Sequence, residues 1–373
     1  RLVLVLHVDD DVRRIARRAA DGEGLVQNGL GIHRVLALLD DKSPVDTFAA
    51  AGLVEARLSF RTLLGGGPVE FGKILVKDGV FNLVIEPSLY PQLPAGNNLI
   101  RIFGINPTLP KPEDDGKVKF KAKNVKVRNF HYTMRNVSGR RPPVNDRGID
   151  WGDLDTYGIN CDAHDLMLKG KVMSGVCDHL DAHEKSGYFL SHISAAAEVG
   201  GGRAYVSDIH LDDGHSDAYL DHYAMYFRNA RTFIHFVDSV SIDGHINRGS
   251  HLDSYSLQYF VPIFWEKEMS MDVHGDVVGT LTDLNVCGLR IDSVNLREKN
   301  GCPRMSDLTA FSASFDGHIS GITDMHTPRR PISARARLDS CRTTATDFYA
   351  VAMRFLEGAT ATGLPFDWAG TMI

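Results

Sequence analysis

The sequence predicts a mainly β fold, and three observations carry that expectation. Apolar and polar residues alternate with a two-residue period over most of the chain. The alternating runs are separated by Gly, Asp, Asn and Ser clusters, the usual turn chemistry. Helical spacing is rare. The chain has 373 residues, 43% of them hydrophobic and 24% charged, a composition that supports a buried core and argues against a disordered tail. Its 41 Lys+Arg against 47 Asp+Glu give a net charge of -6. That balance supplies no basic field of the kind nucleic-acid binders use, so nucleic acid is set aside as a partner. No run approaches the roughly 18 to 20 apolar residues of a membrane-spanning helix, and Leu2 to Leu6 is far too short.

Taken in order, the first pattern is helical. Asp9, Asp10 and Asp11 form an acidic cap before Val12, Ile15, Ala16 and Ala19, a spacing that predicts two to three helical turns. The basic face (Arg13, Arg14, Arg17, Arg18) reads either as a solvated surface or as a contact with anionic lipid. Strands are then expected near residues 31–39, 53–60 and 69–85. Pro87–Pro112 and Arg140–Pro143 read as long loops or edge excursions. Lys117, Lys119, Lys121 and Lys123 alternate with Val118, Phe120 and Ala122, a strand with a strongly charged outer face. Further strands are expected near 125–134 and 157–172, and over Tyr205-Ser207-Ile209-Leu211. Asp221 is placed to cap a short helix over His222 to Phe236. Strands resume at Val240–Ile246. The clearest alternation follows: Met269, Met271, Val273, Gly275, Val277, Gly279 and Leu281 on one side, with Ser270, Asp272, His274, Asp276, Val278, Thr280 and Thr282 on the other. Strands near 289–296 and 332–338 precede a last helix over Thr343 to Leu356, where Ala345, Phe348, Ala352 and Phe355 recur at helical spacing. More than a third of the residues are expected in strand.

Three stretches resemble one another: Gly170–Asp178, Gly275–Leu284 and Gly317–Met325. Each reads as a Gly-started apolar strand, a second Gly, and an Asp-marked turn, suggesting one β-unit used several times. The five cysteines (Cys161, Cys177, Cys287, Cys302, Cys341) show no C-x-x-C spacing, which argues against a disulfide scaffold or a zinc ribbon. Cys161 and Cys177 flank a possible hairpin and are the pair best placed to bridge in an oxidising compartment. The chain opens on Arg1 and closes in mid-pattern, and so reads as a fragment.

The search for chemistry returns little. Gly65-Gly66-Gly67-Pro68-Val69-Glu70-Phe71-Gly72-Lys73 lacks the ending of a phosphate loop and precedes a strand, so it reads as a turn. No G-x-S-x-G elbow, H-E-x-x-H or G-x-G-x-x-G is present. Sixteen histidines include His179-x-Asp181-x-His183 and the His210, Asp212, Asp213, His215, Asp217 group. On a strand, residues two apart share a face, so these are either metal-ligand candidates or the wet positions of amphipathic strands. The second reading is adopted. No catalytic residue, metal or cofactor is assigned.

A resemblance then adds to the pattern. Leu39-Asp40-Asp41-Lys42-Ser43-Pro44-Val45-Asp46-Thr47 joins two apolar runs, and Val76-Lys77-Asp78-Gly79-Val80-Phe81 forms a turn-like break between two more. With Phe120–Tyr132, Gly148–Asp155 and Lys185–Leu190, this resembles the TamB family of the AsmA-like superfamily, translocation and assembly module proteins of diderm bacteria. The similarity covers roughly residues 26 to 373, leaving 1–25 as an N-terminal segment with a short helix. It implies an elongated, curved antiparallel β-sheet groove (a β-taco or half-pipe) that spans the periplasm and moves phospholipid between inner and outer membrane. It also implies possible support of outer-membrane protein assembly. The implied partners are phospholipid, an outer-membrane assembly barrel of the TamA/BamA-like class, and the inner membrane through an N-terminal anchor not present in this chain. On that reading Val118, Phe120, Val206, Met269, Met271, Val273, Val277, Leu281 and Ile319 line the groove. Two alternatives stand beside it: a closed β-sandwich or solenoid scaffold that binds protein, and a metal-dependent hydrolase built on the His/Asp clusters.

Overall fold

The structure, a computed structural model, describes residues 4–6, 34–39, 47–58, 67–90, 96–102, 108–109, 114–138, 148–228, 239–261, 264–265, 267–280, 282–296, 305–320 and 333–342. Among the described residues strand accounts for 73% and helix for 5%, so the expectation of a mainly β chain is met. Seventeen strands join in one sheet. They are β1 (Leu4–Leu6), β2 (Arg34–Leu39), β3 (Thr47–Leu58), β4 (Val69–Glu86), β5 (Gly96–Asn97), β6 (Val118–Asn136), β7 (Asp153–Lys169), β8 (Val172–Glu184) and β9 (Phe189–Gly200). The series continues with β10 (Arg203–Asp212), β11 (Asp217–Tyr226), β12 (Ser241–Ile246), β13 (His251–Asp253), β14 (Met269–Thr280), β15 (Asp283–Leu296), β16 (Met305–Ser320) and β17 (Ser333–Arg342). Two short helices accompany them among the described residues, α1 (Asn98–Ile102) and α2 (Ser254–Leu257).

The pairing follows the chain. Consecutive strands from β1 onward lie side by side and antiparallel, as short turns between alternating runs require. Leu4–Leu6 belong to this sheet too, pairing with Leu36–Leu38. One pair departs: β4 and β6 are parallel, Val69 opposite Phe120 through Ile85 opposite Asn136. The proline-bearing stretch between them is the crossover that a parallel pair needs. Its β5 and α1 flank the end of β4, where the buried Asn98 accepts from Val84 N–H (3.1 Å) and donates to the Asn82 carbonyl (2.9 Å). An amide side chain thus replaces a missing strand.

A second irregularity lies between β11 and β14, where β12 and β13 share one lane. Ser250 sits between them, fully buried. Its Oγ accepts from Tyr219 N–H (2.9 Å) and donates to Tyr219 C=O (3.0 Å), while its carbonyl accepts from Val273 N–H (2.9 Å). The gap in the ladder is closed by one serine.

The long strands keep a single apolar face only because they are bulged. In β4 the apolar set is Phe71, then Ile74 and Val76, then Phe81 and Leu83; opposite them in β6 stand Ala122, Val125, Val127, Tyr132 and Met134. The two-residue period slips twice in each strand. At one slip Asp78 and Asn129 both have φ of 52°, a left-handed conformation that Asp and Asn tolerate better than most residues. Asn129 Nδ2 donates to Asp78 Oδ1 at 2.7 Å, locking the two bulges side by side. Register shifts continue in β7, β8, β10, β11 and β15.

The strand ends form two unlike rims. Along one, β7 turns into β8 through Gly170-Lys171 and β9 into β10 through Gly201-Gly202, connections of two residues. The longer β3–β4, β11–β12 and β16–β17 connections share that rim, and the other carries the β13–β14 connection with α2. There Met269, Met271, Val273, Val294 and Leu296 form a buried cluster, covered by Leu257 of α2 and by Phe264. A polar scaffold fixes α2 in place. Asp253 caps it by accepting from Tyr255 N–H (2.7 Å), and Ser256 Oγ donates to the buried Asp213 (2.8 Å). Ser254 Oγ accepts from Met269 N–H at 3.0 Å.

Some sequence expectations need correction. The helix expected from His222 begins instead as strand, since β11 runs to Tyr226. The bulge at Asp221–His222 interrupts the two-residue period where that helix was expected to begin, and residues 229–236 lie outside the described residues. The three Gly-started stretches are not equivalent either. Gly170 lies in a turn, whereas Gly275 and Gly317 are inside β14 and β16. The helices expected over Val12–Ala19 and Thr343–Leu356 lie outside the described residues.

Candidate functional site

The apolar face runs from lane to lane. Registers carry it from Phe120 and Ala122 in β6 to Leu168 and Leu166 in β7, then to Met173 and Gly175 in β8 and to Val199 and Ala197 in β9. It continues through Ala204 and Val206 in β10, Met225 and Tyr223 in β11, Ile242 and Gly244 in β12, and Gly279 and Val277 in β14. Leu284 and Val286 of β15 follow, paired with Ile319 and Gly317 of β16. Val118, Phe120, Val206 and Val277 are half-buried on this face. Ile319 occupies the register position beside Leu284, and Leu281 lies outside the described residues.

Met269, Met271 and Val273 share the face but are not open. Their exposures of 2%, 6% and 6% place them in the covered cluster. Alternation identified their side of the sheet; it carries no information about α2 lying over them. At the opposite rim Val69, Met173 and Val199 are 42%, 55% and 41% exposed. Sequence reasoning missed these three. For Met173 and Val199 the two-residue glycine turns were the available signal, because an apolar residue beside such a turn stands at a sheet rim.

The same rim is basic on its outer side. Lys117, Lys119, Lys121 and Lys123 approach it along β6, and Lys169 and Lys171 bracket the β7–β8 turn; all are exposed. Lys119 contacts Asp115 at 3.6 Å. The charged outer face expected from the lysine alternation is therefore set directly against Val118, Phe120 and Met173.

The other face of the sheet is polar and holds a cross-strand belt. Asn129 N–H donates to Asn160 Oδ1 (3.0 Å), and Asn160 Nδ2 donates to Asp181 Oδ1 (2.9 Å). Asp181 Oδ2 lies 3.0 Å from His179 Nε2, and His179 Nδ1 lies 2.8 Å from His192 Nδ1. A carboxylate only accepts, so His179 donates from Nε2 and its Nδ1 accepts from His192. His192 neighbours His210, which contacts Asp217 at 2.8 Å and stacks on Tyr219. With Asp78, the belt crosses β4, β6, β7, β8, β9, β10 and β11. His183 does not join it, being stacked between Tyr157 and Phe189. Among the described residues, no group of three or more His, Cys, Asp or Glu is arranged to hold a metal ion.

Two histidines of this face titrate oppositely. Burial, then the neighbouring His179 and His210, hold His192 below its ordinary 6.5. Hydrogen bonding to Asp221, reinforced by Asp243, holds His222 above it. His192 therefore contributes stability that is fully present above 6.5 and is lost as pH falls through its lowered value. The His222 contribution is full below 6.5 and is lost as pH rises through its raised value. On passing from about pH 7 to about pH 5, His192→Gln should lose less melting temperature than the parent protein. From about pH 6 to about pH 8.5, His222→Gln should lose less than the parent. Calorimetry across that range checks both signs.

Among the described residues, no helix is long and apolar enough to cross a membrane. Compared with known proteins, the chain matches no family model, and no curated protein or solved structure is similar to it.

Proposed function

We propose that the apolar face is a lipid path, curled into a gutter along which phospholipid acyl chains pass from lane to lane. The observation that carries this reading is the continuity of the face. It is maintained through repeated bulges, buried at Ala122, Ala204, Ile242 and Val286, half-buried at Phe120, Val206 and Val277, and exposed at Val69, Met173 and Val199. A sheet that keeps one apolar face over so many lanes gains by covering it. Each methylene removed from water contributes about 0.8 kcal/mol, so a half-covered sixteen-carbon chain contributes roughly 6 kcal/mol. The lysines beside Val118, Phe120 and Met173 suit a phosphate head group projecting over the open rim while its chains lie inside. No catalytic residue is required.

The likeness of strand pattern to the TamB family supports extending the reading. The protein then belongs in the periplasm of a diderm cell, anchored to the inner membrane and reaching an outer-membrane assembly barrel, with transfer of phospholipid as its work. Native mass spectrometry of the purified chain tests the core of this proposal. Phospholipid should remain bound at defined stoichiometry and be displaced by detergent. A lipid-free spectrum, with no uptake from added vesicles, would favour the scaffold reading, for which the covered cluster under α2 is the specific support.

A further inference from the structure

Two thiols meet on the apolar face in adjacent strands. Cys161 of β7 stands opposite Leu180, and Cys177 of β8 opposite Ala163, so the cysteines are diagonal neighbours. In a flat antiparallel pair such positions are about 7–8 Å apart. Here a register shift falls at Asp162–Ala163, between the two pairings, and the Sγ atoms lie 3.9 Å apart. Both cysteines are half-buried and reduced.

We propose that Cys161 and Cys177 form a reversible cross-strand disulfide when the protein meets a small disulfide oxidant such as oxidised glutathione. The inference is independent of the lipid reading. It rests on the approach of the two sulfurs, which need to close by roughly 1.9 Å to reach bonding distance. The two thiols are not equivalent. Cys177 is held below the ordinary thiol range by the hydrogen bond from Cys161 and by the backbone N–H of His179. Cys161 is held far above it by the same hydrogen bond and by burial. Cys177 is therefore the attacking sulfur and Cys161 the resolving one.

The steps balance. The Cys177 thiolate attacks one sulfur of the oxidant, forming a mixed disulfide and expelling a glutathione thiolate. Cys161 gives its proton to that leaving thiolate or to solvent and attacks Cys177 Sγ, expelling the second glutathione. Two protein thiols are oxidised, and one oxidised glutathione is reduced to two thiols. A diagonal bridge between bulged strands sits away from relaxed disulfide geometry, and such bonds are the readily reduced ones. A reducible link is expected, not a permanent staple.

The experiment exposes the native full chain to oxidised glutathione, blocks remaining thiols and maps peptides by mass spectrometry. In the parent protein Cys161 and Cys177 should be lost together as one linked peptide pair, with a melting temperature raised by on the order of 5 °C. Dithiothreitol added to the folded protein should restore both. Cys161→Ser should leave a stable glutathione adduct on Cys177, because no second thiol can expel it. Cys177→Ser should leave Cys161 unmodified. Persistence of both thiols, a lasting single adduct in the parent protein, or a bridge from either cysteine to Cys287 overturns the proposal. Resistance of the bridge to dithiothreitol in the folded protein overturns its reversibility.

Discussion

Val273→Asp is expected to destabilise the protein by about 3–5 kcal/mol, the cost of an unpaired carboxylate in an apolar core. Val273 is 6% exposed, packed with Met271 and Ile291 beneath α2. Its own N–H bonds the Ser250 carbonyl, so backbone distortion there also opens the lane that Ser250 completes. Val277→Asp, four residues along the same face but half-buried, should cost much less. Equilibrium denaturation of both variants checks the difference. The defect of Val273→Asp should also grow as pH rises from about 4.5 to about 8, because the buried carboxyl escapes part of its penalty by keeping its proton. Equal costs at the two positions would mean that α2 does not cover the face.

The largest functional effect is expected at the rim that carries Met173 and Val199. Met173 and Val199 are opposite one another in β8 and β9 and are among the most exposed large apolar residues on the apolar face. Changing both to Asp places two like charges side by side on the proposed path. Phospholipid retained through purification should fall at least tenfold, since losing contact with two to three methylenes already removes about 2 kcal/mol. Stability should change little, because both side chains already meet solvent. The measurement is lipid phosphorus per protein, with circular dichroism as the control. A well-folded double variant that keeps its full lipid complement removes this rim from the path.

Much of the architecture was legible because the period of a strand is two. The runs at Val118–Ala122 and Met269–Gly279 need only that rule to be assigned as strands with one wet face. Three features were not legible, each for a physical reason. A bulge breaks the period by one residue, so the alternation of β11 was hidden at Asp221–His222, where a helix was expected. A crossover and a long hairpin loop have similar composition, so the parallel β4–β6 pair was invisible. Cover comes from elsewhere in the chain: α2 has four residues, too few to leave a periodic trace, yet it decides whether Met269, Met271 and Val273 are open. For the candidate site, alternation supplied the face, and only the three-dimensional rims supplied which part of it faces water.

The paired bulges give each long strand something like a reading frame. Deleting Asn129 alone would shift the rest of β6 by one position, turning Tyr132 and Met134 outward and Thr133 inward, because a one-residue slip exchanges the two faces. The partner strand β4, still carrying Asp78, would then oppose oil with water along its remaining length. Removing Asp78 as well would bring the two strands back into agreement with each other, though not with β3 or β7. Errors in this sheet therefore propagate sideways, and a second deletion only hands the mismatch to the next lane. Changes of length are absorbed without that penalty in two places: the connections beyond the strand ends, or whole hairpins added as units. A sequence under such a constraint drifts freely in its loops, while the spacing between its bulges stays fixed.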